Sequence, residues 1–340
     1  MKLDKIYFEI QNYIDKLDFS KLWSGFEPLK FALYTDDECF LDGHYISKTS
    51  EFLANTCIEY QGERVAIWYL QQEMDPIVLT SKIVHEMFHG FQSMRGECCF
   101  PDELDALRNY NYNATNLDLK LAESHLLCSL SQQFDSDVYA QLLGMRKYRA
   151  ENFSYEYHYE VCIEQMEGSA DFVELMCLKQ LSTDLFEQRL LAMQQRITDA
   201  NKLLPIRIVC YDIGALLLYV LMQNSIAFDD SFSSTPIGES LLQGVTPQYC
   251  KSQYSTKEAI DKFYDSAEQI IQNALLKNDV ICGVTCDILA VNVYNAVYHN
   301  NHIISQFFVM FGSKDNPQIQ MGNFVIKTTD CKKLTQIYKI

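Results

Sequence analysis

The segment His85-Glu86-Met87-Phe88-His89 constrains this chain of 340 residues more than any other part of its sequence. Two histidines four residues apart lie on one face of an α-helix, so His85 and His89 can bind the same metal ion. Glu86 is rotated by about 100° from His85, because a helix completes one turn in about 3.6 residues. From there its carboxylate can reach a water activated by the metal. The spacing therefore predicts a helical zinc site suited to hydrolysis.

The residues around this motif predict a buried helix that follows a strand. Asp75 is a suitable N-cap, Pro76 suits the first helical position, and Gly96 is a suitable end. The apolar positions between them are Ile77, Val78, Ile83, Val84, Met87, Phe88 and Phe91. Residues 64–70 are rich in β-branched and aromatic side chains, which indicates a strand. A strand that leads into a buried helix is a suitable context for a catalytic zinc motif.

Catalytic zinc usually has three protein ligands, and no histidine follows His89 at a short distance. Five acidic residues with helical spacing lie downstream: Glu160, Glu164, Glu167, Asp171 and Glu174. Taken alone, such a run indicates a solvated acidic face. Beside a metal-binding helix it has a second interpretation, because a ligating histidine needs a carboxylate to orient it. Glu167 and Asp171 can supply one ligand and one orienting group on the same helix face.

The acidic segment Glu167-Gly168-Ser169-Ala170-Asp171, following H-E-x-x-H, resembles the gluzincins, the clan of thermolysin and the aminopeptidase N relatives. In that clan a glutamate on a second helix completes the zinc site. The resemblance implies that His85, His89 and Glu167 are zinc ligands, that Glu86 is the general base, and that Asp171 supports a ligand histidine. Glu164 is the alternative ligand. The long interval between His89 and Glu167 predicts an inserted helical hairpin, with arms at 101–134 and 137–150.

A tyrosine is implied as the group that stabilises the oxyanion during peptide-bond attack. Residues 211–215 resemble the Tyr-x-Lys-Gly-Ala motif of the aminopeptidase N relatives, although Ile213 replaces the lysine. The matching position is Tyr211, whose hydroxyl would stabilise the tetrahedral intermediate. Four residues just before the acidic segment are alternatives for this role: Tyr155, Tyr157, His158 and Tyr159.

One motif of the aminopeptidase N relatives is missing from this chain. The Gly-x-Met-Glu-Asn strand, which binds a free amino terminus in that family, does not occur. Exopeptidase action is therefore not implied. We expect the strand at 64–70 to serve as a sheet edge that pairs with an extended peptide.

The charge balance limits the possible partners and locations. The chain has 45 acidic and 28 basic residues, a formal net charge of −17, which argues against nucleic acid as a partner. Such a charge would steer neutral or basic peptides toward the protein, though weakly at cellular salt. We expect no signal peptide and no membrane-spanning helix. The 12 cysteines then indicate reduced thiols and a cytoplasmic location.

The sequence predicts an α+β fold with a mostly helical zincin-like core and a small N-terminal sheet. Residues 1–280 are predicted to form the catalytic domain, and residues 281–340 a β-rich C-terminal module that pairs with the N-terminal strands. Within and before this module we predict a helix at 256–277 and strands at 288–297, 303–311 and 323–328.

These features predict a zinc-dependent peptidase that acts on a peptide or protein substrate, with Zn²⁺ as its cofactor and no nucleic-acid or membrane partner. Two alternatives stay open: a catalytically silent protein of the same fold that binds a metal or a peptide, and a regulatory protease with one protein substrate.

Overall fold

The computed structural model describes residues 2–340, which form an α+β fold with two separate sheets and ten α-helices. The helices are α1 (Leu3–Ile14), α2 (Pro76–Arg95), α3 (Glu103–Asn109), α4 (Ala114–Gln132), α5 (Ser136–Asn152), α6 (Ser154–Leu181), α7 (Thr183–Ile197), α8 (Ile206–Gln223), α9 (Ile237–Ser240) and α10 (Lys257–Lys277). The predicted hairpin at 101–150 comprises three helices, α3, α4 and α5, rather than two arms.

The N-terminal sheet has five strands in the spatial order β3-β2-β1-β5-β4. These strands are β1 (Lys30–Tyr34), β2 (Cys39–Leu41), β3 (His44–Ile46), β4 (Thr56–Tyr60) and β5 (Glu63–Tyr69). Strands β1 and β5 are parallel, and β4 pairs with β5 in the antiparallel direction. The prediction that residues 64–70 form a sheet edge is wrong, because β5 has a neighbour on each side. The edge is β4.

The C-terminal sheet has eight strands, and none of them pairs with the N-terminal sheet, so the predicted pairing of the two is wrong for residues 2–340. Its strands are β6 (Val280–Cys282), β7 (Cys286–Val291), β8 (Val297–His299), β9 (His302–Ser305), β10 (Phe308–Ser313), β11 (Asn316–Met321), β12 (Phe324–Thr328) and β13 (Lys333–Lys339). The helix predicted at 256–277 and the strand predicted at 323–328 are confirmed as α10 and β12. The predicted strand at 303–311 is interrupted before Phe308, because Phe307 adopts a φ of 70°.

Helix α2 begins and ends as the sequence predicts. The Asp75 carboxylate accepts hydrogen bonds from the backbone amides of Ile77 and Val78, and Gly96 ends the helix with a left-handed φ of 83°. At Gly90, the residue after His89, the helix packs directly against edge strand β4. A Cβ atom added at Gly90 would lie 2.6 Å from the Cys57 Sγ atom of β4, which leaves no room for a side chain.

Helices α6 and α8 cross in backbone contact near the centre of the protein. A Cβ atom added at Gly168 of α6 would lie 2.6 Å from the Cα atom of Gly214, and one added at Gly214 would overlap the backbone of Glu164. Only glycine at both positions allows this approach. The crossing places Glu167, the residue before Gly168, beside the first turns of α8.

Helix α8 is also the one helix within residues 2–340 that is long and apolar enough to cross a membrane. Its mean hydropathy is 1.6 over 18 residues, and 72% of these residues are buried inside the protein. A core helix of a soluble protein has the same properties, so this feature is weak evidence for a membrane span.

The crossing of α6 and α8 makes a prediction about stability. A Gly214→Ala substitution should lower the free energy of unfolding by about 1–3 kcal/mol, because overpacking at a backbone contact outweighs the helix-propensity gain of alanine. Urea denaturation monitored by circular dichroism measures the change. Gly283→Ala is the control, because its added Cβ would meet nothing closer than 4.0 Å. Equal stability of Gly214→Ala and the unsubstituted protein would contradict a backbone-to-backbone crossing.

Candidate metal centre

Three donor atoms converge where α2 packs against α6. The Nε2 atoms of His85 and His89 lie 3.1 Å apart, and Oε2 of Glu167 lies 3.4 Å from the His89 nitrogen and 3.9 Å from the His85 nitrogen. Ligands of a tetrahedral zinc ion, with bonds of about 2.0–2.1 Å, are separated by about 3.3 Å. The predicted triad His85, His89 and Glu167 is therefore brought together at a spacing that fits one divalent cation.

The second ring nitrogen of His85 faces two carboxylates of α6. Its Nδ1 atom lies 3.2 Å from Oδ1 of Asp171 and 3.6 Å from Oε2 of Glu174. The approach is an ionic contact rather than a well-aligned hydrogen bond. Burial by itself would lower the pKa of His85, but the contact with Asp171 and the charges of Glu86, Asp171 and Glu174 raise it to about 9. The excess of negative charge around this ring favours a cation.

His89 is oriented by Gln92, a residue that the sequence analysis missed. The Gln92 amide nitrogen donates to the Met166 carbonyl at 2.7 Å and to the Ser169 hydroxyl at 2.9 Å. Its carbonyl oxygen must therefore be the atom that faces His89 Nδ1, at 2.7 Å. This oxygen accepts a hydrogen bond from the Nδ1–H group of His89, so the Nε2 lone pair of the ring is free for a metal. Gln92 could have been found from its position three residues after His89, on the same helix face.

Glu167 and Glu86 have opposite electrostatic environments. The Oε1 atom of Glu167 accepts a hydrogen bond from Arg207 Nη2 at 3.1 Å, so Oε2 remains available on the side of the histidines. Burial alone would raise the pKa of Glu167, but His89 and Arg207 lower it to about 2. Burial raises the pKa of Glu86, and the two histidines oppose this only in part. Glu86 is therefore the carboxylate with the higher proton affinity, as a general base requires.

The centre lies in an open cleft with a volume of about 1080 Å³. Edge strand β4, helices α2, α6 and α7, and the turn after β7 all contribute to its lining. Tyr211 lies in the lining, and its hydroxyl accepts a hydrogen bond from Arg207 Nη1. The ring of Tyr294 stacks on Tyr211 with 6.1 Å between centroids. Tyr294 was missed because nothing in its local sequence relates it to a helix more than 80 residues away.

Cys57 of β4 also lines this cleft, close to Glu86. Burial raises the pKa of its thiol to about 11. The thiolate needed for nucleophilic attack is therefore scarce near neutral pH. This disfavours a cysteine hydrolase mechanism in the same cleft.

The alternative site residues lie outside the cleft. Glu164, the alternative ligand, is buried and paired with Lys120 and Arg146, so its carboxylate is unavailable to a metal at this centre. The hydroxyls of Tyr155, Tyr157 and Tyr159 donate to Asp105, the Gly238 carbonyl and Glu103, and His158 contacts Glu239. Of the proposed oxyanion donors, only Tyr211 lines the cleft.

The acidic run on α6 is not a solvated face, which corrects that interpretation. Glu160, Glu164, Asp171 and Glu174 are buried, and Glu167 is half-buried. The first two face α4 and α5, where they belong to a buried cluster of three carboxylates and three cations. Its members are Glu123, Glu160, Glu164, Lys120, Arg146 and Arg149. The other three acidic residues of the run, Glu167, Asp171 and Glu174, face the histidines and Arg189. One helix thus supplies a structural ion cluster and the acidic side of the candidate centre.

The buried cluster makes a prediction about acid stability. Burial alone would raise the pKa of Glu160, but Arg149 and Lys120 lower it to about 2. This value lies below the unfolded value of about 4.3, so the ionised group stabilises the fold above about pH 4.3 and loses this effect as the pH falls toward 2. Glu160→Gln should therefore lower the free energy of unfolding by about 3–5 kcal/mol at neutral pH, because it leaves buried cations uncompensated.

Urea denaturation as a function of pH measures this effect. The difference between Glu160→Gln and the unsubstituted protein should shrink below about pH 4. Glu151→Gln is the matched control, since Glu151 has a side chain 48% exposed and only a loose pair with Lys147 at 3.5 Å. A penalty for Glu160→Gln no larger than that of the control would show that the cluster does not stabilise the fold.

Comparisons of the chain with protein-family models, with curated proteins and with solved structures found no match in any of the three. The resemblance to gluzincins therefore stands on the motif residues alone.

Proposed function

We propose that this protein is a zinc-dependent peptidase that hydrolyses peptide bonds in a peptide or protein substrate. The observation that carries the proposal is the convergence of His85 Nε2, His89 Nε2 and Glu167 Oε2, with Glu86 beside them in an open cleft. Zn²⁺, when bound by these residues, would polarise the substrate carbonyl and lower the pKa of a water.

The side chains around the centre have distinct roles in this proposal. Glu86 accepts a proton from the attacking water and delivers it to the leaving amine, a task favoured by the burial that raises its pKa. Tyr211 donates to the oxyanion that develops on the carbonyl, and Arg207 restrains its hydroxyl. Asp171 and Gln92 hold the two histidine rings in orientation.

The surrounding architecture supports a zincin-like core within residues 1–280. The motif helix α2 packs against a mixed sheet whose edge strand β4 is antiparallel to its neighbour. Asn55, Thr56 and Cys57, at the start of this edge, line the cleft. An edge strand has unpaired backbone groups, so an extended peptide could add to the sheet there and pass across the metal. A peptide or protein substrate suits this arrangement better than a small molecule.

The role of Glu86 can be tested by Glu86→Gln. This variant should keep one zinc per chain but lose peptide hydrolysis by at least about 10²-fold, because glutamine has a similar shape and cannot accept a proton. Metal content is measured by mass spectrometry of the purified protein, and hydrolysis by digestion of a broad peptide library. Hydrolysis by Glu86→Gln at the unsubstituted rate would show that the mechanism is wrong. A protein without zinc would refute the metal assignment.

The role of Gln92 can be tested without measuring hydrolysis. Gln92→Leu should weaken zinc binding by about 10–100-fold, because His89 loses the acceptor that fixes its tautomer. Competition with a chromogenic chelator measures the affinity. Gln132→Leu, at the exposed end of α4, is the control and should leave zinc binding unchanged. Unchanged affinity in Gln92→Leu would mean that the Gln92 contact does not orient the ligand.

A further inference from the structure

The cleft lining contains as many cations as carboxylates, although the chain as a whole is acidic. The acidic residues in the lining are Glu86, Glu167, Asp171 and Glu174, and all four lie at the centre or against its histidines. The remaining charged residues of the lining are Arg64, Lys82, Arg189 and Arg196. The lining therefore has four carboxylates and four cations, a larger share of cations than in the whole chain, which has 45 acidic and 28 basic residues.

Three of these four cations have carboxylate partners. Lys82 lies 3.3 Å from Glu174, Arg189 lies 2.7 Å from Asp171, and the nearest contact of Arg196 is Asp212 at 3.0 Å. Their charges are therefore balanced within the protein.

Arg64 differs from the other three. Among the described residues it forms no ion pair and no side-chain hydrogen bond, although it is half-buried. It lies on β5 directly across from Glu59 of β4, but Glu59 is exposed and does not pair with it. Trp68 is on the same strand face, because side chains alternate along a strand, and it also lines the cleft. Arg64 thus presents a guanidinium without an ion-pair partner in the described part of the chain, near Cys57 of the edge strand and in the same cleft as Glu86.

We propose that Arg64 binds a carboxylate of the substrate, so that the cleft selects peptides with an acidic group near the bond to be cleaved. A guanidinium can donate two parallel hydrogen bonds to a carboxylate, and partial burial limits competition from water. The carboxylate could belong to an aspartate or glutamate side chain or to the carboxyl terminus of the peptide. This inference rests on the proposed peptidase function and adds the substrate class.

The test measures binding in the zinc-loaded Glu86→Gln protein, so that no turnover disturbs the equilibrium. The probes are fluorescein-labelled hexapeptide libraries in which one position at a time is fixed as Glu, Gln or Lys. Each library is made with a free and with an amidated carboxyl terminus. Fluorescence anisotropy should show about five- to tenfold tighter binding for Glu than for Gln at one position, or for free acid than for amide. The two arms distinguish the sources of the carboxylate.

Substitutions at Arg64 assign the preference to that residue. Arg64→Gln should abolish the preference for the carboxylate. Arg64→Glu should reverse it, so that libraries with Lys at that position bind most tightly. Arg64→Lys should keep part of the preference, since the charge remains without the bidentate geometry. Arg95→Glu is the control, because it makes the same charge change at an exposed position at the end of α2. The preference should also weaken as salt rises from about 0.05 to 0.5 M.

The outcomes separate this inference from the proposed function. Hydrolysis by the unsubstituted protein, with no preference for Glu or for a free carboxyl terminus, would overturn the role of Arg64 and leave the peptidase proposal intact. A preference that survives in Arg64→Gln would also overturn it. A preference lost in Arg64→Gln, with no hydrolysis of any library, would support the role of Arg64 and contradict the proposed hydrolysis of short peptides.

Discussion

The backbone contact between α6 and α8 at Gly168 and Gly214 determines where the third donor of the candidate centre lies. Glu167 precedes one of these glycines, and Arg207 and Tyr211 lie about two turns and one turn before the other. Close approach of the two helices therefore brings an arginine to the glutamate and a tyrosine to the cleft wall at the same time. A side chain at either glycine would separate these groups, so packing and chemistry depend on the same contact.

Charged residues form two distinct groups on the two sides of α6. A buried cluster on one side of α6 contains three carboxylates and three cations, a balance that offsets the large cost of removing charges from water. On the other side of the same helix, Glu167, Asp171 and Glu174 lie between two histidines and the cations Arg207, Arg189 and Lys82. Burial favours neutrality in both groups, and in the second a metal would add positive charge beside Glu86, which forms no ion pair with a lysine or arginine of residues 2–340.

The cleft joins parts of the chain that are distant in sequence. Its lining includes the edge strand of the N-terminal sheet, the motif helix, the glutamate helix and Tyr294 from the turn after β7. In the proposed function, the acidic centre would hold the cation, and Arg64 would hold an anionic group of the substrate. Opposite charges in neighbouring parts of one cleft would align a peptide better than the net charge of the whole protein, which salt screens beyond about 10 Å.

The sequence alone determined the features that depend on local geometry. The bounds of α2, the facing pair His85 and His89, and the placement of Glu167 and Asp171 on one helix face all follow from the helical period of 3.6 residues and from capping chemistry. Only the tertiary structure decided that β4 rather than β5 is the sheet edge, that the two sheets are separate, that Glu164 belongs to the buried ion cluster, and that Arg64 and Tyr294 reach the cleft. These features depend on contacts between distant segments, for which periodicity carries no signal.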